Sequence, residues 1–437
     1  MKHAFAFVCL ALVAGVLIVS SCFWYQSAQQ EGAAPARYLY VWMGDKDGQD
    51  CDFIAVVDVR PESPTYARVI ETEPVGMRGS MPHHLEYWLP PPGQFLFGNG
   101  HHHEQIFLFD ISEAEHPRVV RTLRPVPPYR YPHDFMRLPN GNILVGFLRS
   151  EGPSPLPGDT TLPGGHGGIA ELDPEGQVIR SASAADSISE IPIRPYAFAP
   201  LPQIDRLLTT SAPMLENYSA DVVQVWRLSD LQLLHTLRVP PAHLPNGAQL
   251  MTRNAKGEME ATGHKYPFVP RVMADGSVLL NAYGCGFYRV TGIDAPHPKV
   301  QNVYTIEVPA EAGLGACGIP VVVGRYWIMP VGGAHMVVTL DVSDPARPVE
   351  VSRLHSDTTF FPHWLAKDPG SNRFILSQEM GHEDRMLMLR ADLKTGRLWW
   401  EESFRSEDGS LGMSFRRSMW PHGDTGEAMG HAALFQY

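Results

Sequence analysis

Gln105-Ile106-Phe107-Leu108-Phe109-Asp110-Ile111-Ser112 is one of four similar segments that decide the fold of this chain. Each segment is a run of β-branched or aromatic residues that ends near an aspartate, and the other three are Phe53–Val59, Val222–Asp230 and Met336–Asp344. A further strand-like run follows after a polar turn, as at Arg118–Leu123 and Leu233–Val239. Gly, Pro, Asn and Asp punctuate the chain from Tyr38 onward, and no long apolar pattern of helical period appears. The sequence therefore predicts an all-β protein.

The spacing of these segments indicates an internal repeat of about 45 to 50 residues, which is the length of a four-stranded propeller blade. Blades are expected to begin near Tyr38, Pro82, Pro132, Pro195, Pro267, Gly318 and Pro362, and Trp420–Phe435 is expected to close the ring with the first blade. The irregular stretches Ser150–Gly168 and Ala242–Pro267 are predicted to be loops or insertions. We therefore expect residues 38–437 to form a single seven-bladed β-propeller with four-stranded blades.

The composition excludes several classes of protein. The chain has 437 residues, of which 35 are basic and 47 acidic, and the formal net charge is -12. An acidic surface without basic runs argues against binding nucleic acid through its phosphates. The sequence contains no Cys-x-x-Cys pair, no Gly-x-Ser-x-Gly elbow and no Walker or dinucleotide-binding motif, so a zinc ribbon, serine hydrolase, NTPase or dehydrogenase has no support.

The first residues have the pattern of an export signal. Lys2 precedes a nearly unbroken apolar run, Ala4–Ser20, and Val19-Ser20-Ser21-Cys22 resembles the cleavage site of a bacterial lipoprotein. We expect residues 1–21 to be a signal peptide, Cys22 to carry lipid and residues 22–37 to form a tether. An uncleaved anchor helix and an ordinary cleaved signal are the alternatives, and all three export the chain, so a periplasmic, membrane-anchored lipoprotein is the prediction.

Export would leave three cysteines, Cys51, Cys285 and Cys317, in an oxidising compartment. An odd number means that at least one thiol stays free. Cys317, just before a presumed inner strand, is expected to be a buried, inert thiol.

Pro-His dipeptides recur where blades are expected to begin. They supply the candidate metal ligands His83, His84, His133, His363 and His422. Imidazole is the usual nitrogen ligand of copper, zinc and iron, and only a fold that gathers the blade entries could bring these distant residues together. A propeller axis does so. The alternative is a chance dipeptide, such as Pro296-His297 in a probable outer turn.

Two carboxylates follow the histidine motifs. Glu86 and Asp134 could orient an imidazole or carry protons in catalysis, although either could equally be a solvated strand residue. His101-His102-His103-Glu104 follows Gly98-Asn99-Gly100 and is expected to lie in an exposed hairpin turn.

These residues resemble the selenium-binding protein 56 family, whose members include methanethiol oxidases. The resemblance is clearest between Asp52 and Pro240. It rests on Asp52–Tyr66, on His83-His84, on Pro132-His133 eight residues before Gly141, on Gly164–Gly168 leading into Ile169–Asp173, and on Val223–Trp226 with Leu234–Leu237. Together these motifs are fairly specific.

The resemblance implies a seven-bladed propeller with a histidine-bound copper that oxidises methanethiol, a small thiol, with O2 and water to formaldehyde, hydrogen sulfide and hydrogen peroxide. His83, His84 and His133 match the family's metal histidines. The family's Cys-Ser-Ser-Cys segment is absent here and is replaced around Leu89–Gly93, which argues against selenium binding through that motif. The family's C-terminal Ala-His-Glu is also absent, and His422 is expected to substitute for its ligand.

Two other classes remain open. A non-catalytic exported propeller could bind copper, selenium or a protein partner. A calcium-dependent, lactonase-like hydrolase is less favoured, because calcium prefers carboxylate and amide oxygens, whereas the blade entries offer imidazoles.

Overall fold

The computed structural model describes residues 33–124, 126–152, 164–214, 218, 220–254, 256–379 and 385–436. Within these ranges the chain forms seven antiparallel sheets of four strands, and one of them also pairs with a short fifth strand. The predicted seven-bladed β-propeller is confirmed. The predicted signal peptide, Cys22 and the start of the tether lie outside the described residues. No helix in the described part is long and apolar enough to cross a membrane.

Successive blades use consecutive stretches of chain. Blade 1 contains β1 (Tyr38–Asp45), β2 (Phe53–Asp58) and β3 (Arg68–Pro74). Blade 2 contains β4 (Pro82–Leu85), β5 (Leu96–Gly100), β6 (Gln105–Asp110) and β7 (Arg118–Leu123). Blade 3 contains β8 (Tyr129–Arg137), β9 (Ile143–Ser150), β10 (Gly168–Leu172) and β11 (Val178–Ser183). Blade 4 contains β12 (Pro195–Leu201), β13 (Arg206–Ser211), β14 (Val222–Arg227) and β15 (Gln232–Arg238). A separate hairpin, β16 (Met251–Arg253) and β17 (Met259–Ala261), occupies the predicted insertion.

The remaining blades complete the ring. Blade 5 contains β18 (Pro267–Val272), β19 (Val278–Ala282), β20 (Gly286–Thr291) and β21 (Lys299–Thr305). Blade 6 contains β22 (Val321–Val323), β23 (Tyr326–Val331), β24 (Met336–Asp341) and β25 (Val349–His355). Blade 7 contains β26 (Pro362–Lys367), β27 (Arg373–Gln378), β28 (Arg385–Ala391) and β29 (Leu398–Trp400), and β30 (Met413–Ser414) pairs with β28. Short 3-10 turns lie at Pro202–Ile204, Ala310–Ala312 and Gly332–Ala334.

The C-terminal strand closes the propeller, as the sequence predicted. β31 (Ala428–Gln436) pairs antiparallel with β1, from Tyr38 opposite Gln436 to Asp45 opposite Ala428. It becomes the innermost strand of blade 1, so the two ends of the propeller domain lie in one sheet. Tyr38 therefore begins the second strand of its blade rather than the first.

The repeated segments of the sequence are the third strands of their blades, counted from the axis. β2, β6, β14 and β24 all occupy this position. Every residue of β2 and the four central residues of β6 are buried, because each blade packs against a neighbour on both faces. Burial on both faces explains their continuous apolar runs. The outer strand β25, by contrast, alternates between exposed and half-buried residues.

One expectation about the cysteines needs correction. Cys285 and Cys317 form a disulfide that links blade 5 to the segment entering blade 6, so Cys317 is not a free thiol. Cys51 is the free cysteine among the described residues, in agreement with the odd count.

Candidate metal centre

Four of the innermost strands each bring histidine to the propeller axis from the same place in their blade. β4 carries His83 and His84, β8 carries His133, β26 carries His363 and β31 carries His431. Each of these strands shifts register against its partner next to the histidine. Such a bulge re-aims side chains. It explains how His83 and His84, which are adjacent in sequence, are both fully buried.

The five imidazoles form one contiguous group, which we call the axial histidine cluster. The ring centroid of His83 lies 3.9 Å from that of His431 and 4.5 Å from that of His84. His84 and His133 are 4.2 Å apart, and His363 and His431 are 4.9 Å apart. All five residues are at most 2% exposed. Possible ligand atoms converge within 4.8 Å in two sets, one of His83, His84 and His133 and the other of His363, Glu379 and His431.

Nδ1 of four of these rings lies next to an acceptor, and in three of them it is hydrogen-bonded. Nδ1 of His133 lies 3.1 Å from the carbonyl oxygen of Tyr196, and Nδ1 of His431 lies 2.8 Å from that of His83. A carbonyl can only accept, so Nδ1 carries the proton in both rings. Nδ1 of His84 lies 3.3 Å from Asp134 Oδ1. Nδ1 of His363 lies 2.6 Å from Glu379 Oε2, in ion-pair range but without hydrogen-bond geometry.

The other ring nitrogens have no such partner. Nε2 of each of these four imidazoles, both ring nitrogens of His83 and Nδ1 of His363 are buried without a hydrogen bond in the described structure. A buried lone pair without a partner is costly. A ring anchored through Nδ1 with a bare Nε2 is the usual arrangement of a metal-binding histidine, so the residues fit a transition-metal ion.

The electrostatics keep the imidazoles in the form that binds metal. Burial lowers the pKa of His83, His84 and His133 well below the ordinary histidine value, and the neighbouring imidazoles lower it further. Burial, with His363 nearby, also lowers the pKa of His431 to about 3. These rings are therefore neutral at pH 7, as a nitrogen ligand must be.

The structure brings together four of the five predicted ligands and replaces the fifth. His83, His84, His133 and His363 all lie in the cluster, while His431 was not predicted. The Pro-His pattern pointed to His422, whereas His431 follows a glycine. Its signal was its position in the strand expected to close the ring.

His422 lies elsewhere, which corrects the expectation that it reaches the axis. Its Nδ1 is 2.6 Å from the hydroxyl of Thr72, on the outermost strand of blade 1, and its Nε2 is 3.2 Å from Asp424. The ring also packs on Phe53, with centroids 5.0 Å apart. These contacts hold His422 at the opposite edge of the sheet from His431.

The two predicted carboxylates are placed differently. Asp134 contacts His84, as described above, and burial raises its pKa to about 7 in spite of nearby Tyr87 and Arg271. It can therefore hold or release a proton near neutral pH. Glu86 instead forms a buried ion pair, with its Oε1 2.6 Å from Arg137 Nη2, and its Oε1 accepts a bond from the amide of Phe97. These contacts tie Glu86 to strand packing between blades 2 and 3.

His101 is a further buried imidazole that the sequence did not indicate. The predicted turn exists at residues 101–104, and His102 and His103 are exposed as expected. His101, however, is only 1% exposed, and its ring centroid lies 6.2 Å from those of His83 and His133. The preceding Gly98–Gly100 belongs to β5 rather than to the turn, which brings His101 inward.

Asn99 fixes the backbone of two histidine-bearing strands. Its side-chain oxygen accepts from the amide of His84 at 2.7 Å, and its side-chain nitrogen donates to the carbonyl of Pro132 at 2.8 Å. Asn281 repeats the second contact between blades 5 and 6, by donating to the carbonyl of Cys317 at 2.9 Å. A buried amide on the second strand thus clamps the next blade.

Aromatic rings take the place of histidine in blades 4 and 5. Tyr196 and Phe268 follow Pro195 and Pro267 in β12 and β18, and they stack with centroids 4.1 Å apart. Tyr196 is also 4.1 Å from His133, so this apolar wall adjoins the histidine cluster directly.

These features define a class: a seven-bladed β-propeller with a cluster of buried imidazoles on its axis. No family model matches the sequence. The chain is 24% identical over 275 residues to a methanethiol oxidase from a Hyphomicrobium species. That alignment covers 56% of this chain and 58% of the oxidase, so the chain spans a little over half of that relative's length.

Solved structures share the fold. A hypothetical selenium-binding protein from Sulfolobus tokodaii superposes with a TM-score of 0.64 at 16% identity, over 92% of this chain and 94% of the other. A periplasmic gluconolactonase from Pseudomonas aeruginosa gives a TM-score of 0.55 at 14% identity, over 92% and 99%. At these identities the likeness concerns the fold alone.

Proposed function

We propose that this protein is a copper-dependent oxidase of a small thiol. The reaction is that of methanethiol oxidase, in which methanethiol, O2 and water give formaldehyde, hydrogen sulfide and hydrogen peroxide. The observation that carries the proposal is the set of imidazoles, those of His84, His133 and His431, whose Nδ1 atoms are hydrogen-bonded and whose Nε2 atoms lack partners. The similarity to the Hyphomicrobium enzyme indicates which chemistry such a site would perform.

The ligands would come from the axial histidine cluster, with His83, His84 and His133 as one set and His431 and His363 beside them. Bound copper would supply a Lewis acid that favours the thiolate form of the substrate and a redox centre for electron transfer to O2.

The surrounding residues perform the remaining tasks. Asp134 accepts the thiol proton, since burial raises its pKa to about 7. Because Asp134 also contacts His84, it orients one ligand while it carries the proton. Tyr196 and Phe268 line the axis beside the imidazoles and exclude water from the alkyl group of the substrate. No comparable role follows for Glu86, whose carboxylate is paired with Arg137.

The direct test measures metal, thiol and peroxide on one preparation. We expect copper in the purified protein, and we expect added methanethiol to be consumed with release of hydrogen peroxide and hydrogen sulfide. His84→Ala should abolish both bound copper and thiol oxidation. Full activity in that variant would refute the proposal.

A second candidate function is copper binding without turnover. It is favoured by the complete burial of His83, His84 and His133, which leaves no exposed edge of the cluster for a substrate to approach. The same preparation distinguishes the two functions. Copper without peroxide release on several small thiols would favour the binding protein.

We also propose that the chain is exported to the periplasm and anchored through lipid on Cys22. The support is the apolar run Ala4–Ser20 that ends in a lipoprotein-like cleavage site. The Cys285–Cys317 disulfide suits an oxidising compartment. Mass spectrometry of the mature N-terminus should find a lipid-modified Cys22, and an intact Met1 would contradict the proposal.

A further inference from the structure

Three aromatic side chains lie in a line that leads outward from the histidine cluster. The ring of Trp364 packs edge-on against His84, with centroids 5.0 Å apart. Tyr87 stacks on Trp364 at 5.3 Å and with an interplanar angle of only 6°, and Trp88 follows Tyr87 at 5.7 Å. Trp364 is 1% exposed, whereas Tyr87 and Trp88 are both partly exposed. The line therefore connects a buried centre with the protein surface.

The residue types are suited to carrying single electrons. Tryptophan and tyrosine are the side chains that lose an electron most readily without forming a covalent product. Each step in the line joins rings in direct contact, within the usual range of aromatic pairs. Electron transfer across such contacts is rapid compared with enzyme turnover.

One further contact fits this role. The indole nitrogen of Trp364 donates to the carbonyl of Ala433 at 3.1 Å, which holds the ring in place between His84 and Tyr87.

We propose that Trp88, Tyr87 and Trp364 conduct electrons from an external one-electron donor to the axial histidine cluster, where they reduce hydrogen peroxide to water. This inference rests on the proposed function, which supplies both the metal and the peroxide. One molecule of hydrogen peroxide takes up two protons and two electrons and gives two molecules of water. Two donor molecules each lose one electron, and each aromatic residue is restored after every transfer.

The burial of the cluster makes the path necessary for large donors. His83, His84 and His133 are fully buried, so a donor too large to enter the axis cannot contact them. Reduced cytochrome c is such a donor, and its basic surface suits the net charge of -12 on this chain. It serves here as a probe.

The experiment follows the oxidation of reduced cytochrome c by hydrogen peroxide in the presence of the copper-loaded full chain. In parallel, a nitroso spin trap is added without donor, and the labelled residues are located by mass spectrometry. The test variant is Tyr87→Phe combined with Trp88→Phe, since phenylalanine does not carry electrons under these conditions. Trp399→Phe is the matched control, because Trp399 is 39% exposed on β29 and lies outside the line.

We expect trap adducts on Tyr87 or Trp88 and none on Trp399. The double variant should lose about tenfold or more of the rate of cytochrome c oxidation, equivalent to at least about 1.4 kcal/mol in barrier. The Trp399→Phe control should retain the full rate. Bound copper and methanethiol consumption are measured on the same samples.

Two results would overturn the inference, and they differ. If the double variant binds copper and oxidises cytochrome c at the parental rate, the electron path is wrong while the proposed oxidase stands. If the parent protein binds no copper, both the path and the proposed function fail.

Discussion

The two halves of the propeller axis share one backbone design but carry different side chains. Four consecutive blades, 7, 1, 2 and 3, place histidine beside the register shift of the innermost strand, whereas blades 4 and 5 place Tyr196 and Phe268 there. The residue before the proline has positive φ on both sides, 59° at Met81 and 58° at Tyr266. The fold therefore sets the position, and the residue type alone decides whether that position carries an imidazole or a packing aromatic ring.

Blade 6 shows a third use of the same position. Gly318 has no side chain there, and a Cβ would lie 2.2 Å from the carbonyl oxygen of His363. The following amide, of Ile319, donates to that carbonyl at 2.7 Å. Blade 6 thus contributes close backbone contact that fixes the neighbouring histidine strand.

Removing a ligand from the histidine half should have the largest effect on function. We expect His84→Ala to lose both copper and thiol oxidation, because His84 contacts His133, His83 and Asp134. His422→Ala is the matched control, since the structure places that imidazole at the outer edge of blade 1. Metal analysis of both variants checks the comparison, and loss of copper only in His422→Ala would reverse our assignment.

Truncation in the aromatic half should instead reduce stability. Phe268 is 4% exposed and packs against Tyr196, Tyr283 and His363, so Phe268→Ala should cost about 3–5 kcal/mol through the cavity it leaves. Urea unfolding of the metal-free protein measures this. His363→Ala, measured in the same way, should lose less stability but more metal affinity. Equal losses of stability in Phe268→Ala and His363→Ala would contradict the proposed difference between the two halves.

The disulfide should stabilise the aromatic half without affecting the metal. It closes a loop with a sequence separation of 32 residues, for which the chain-entropy estimate is about 3–4 kcal/mol. Replacing both Cys285 and Cys317 with alanine should lower the melting temperature under non-reducing conditions and leave copper content unchanged. Cys51→Ala serves as the control, and a loss of copper in the double variant would contradict this division of roles.

The smallest expected effect is the difference in copper affinity between variants of two similar asparagines, Asn99 and Asn281. Asn99→Ala and Asn281→Ala should each destabilise the protein by about 1–3 kcal/mol, since each leaves buried backbone groups without partners. Asn99 bonds directly to two histidine strands, whereas Asn281 bonds to the segment before β22. Asn99→Ala should therefore weaken copper binding by about tenfold and Asn281→Ala by less. Competition with a copper chelator provides the measurement. Equal copper affinities in the two variants would show that the clamp is purely structural.

The sequence was sufficient for the architecture because the third strand of each blade is buried on both faces and leaves a strong apolar signature. It also indicated His83, His133 and His363, since each directly follows a proline of an inner strand, and His84, which follows His83. His431 lies in the same cluster without a preceding proline. It is on β31, the C-terminal strand that joins blade 1, so the Pro-His pattern does not mark it. Nothing in the sequence indicated that His101 lies close to His83 and His133. That closeness depends on how the turn after β5 folds, and it leaves no pattern in the neighbouring residues.

The central claim is that the axial imidazoles bind copper through the ring nitrogens that have no hydrogen-bond partner. Metal analysis combined with electron paramagnetic resonance of the purified, oxidised protein tests it most directly. We predict about one copper per chain, with hyperfine coupling to several imidazole nitrogens that His84→Ala removes. A protein that binds no copper when copper is supplied, or a copper signal unchanged in His84→Ala, would contradict the account.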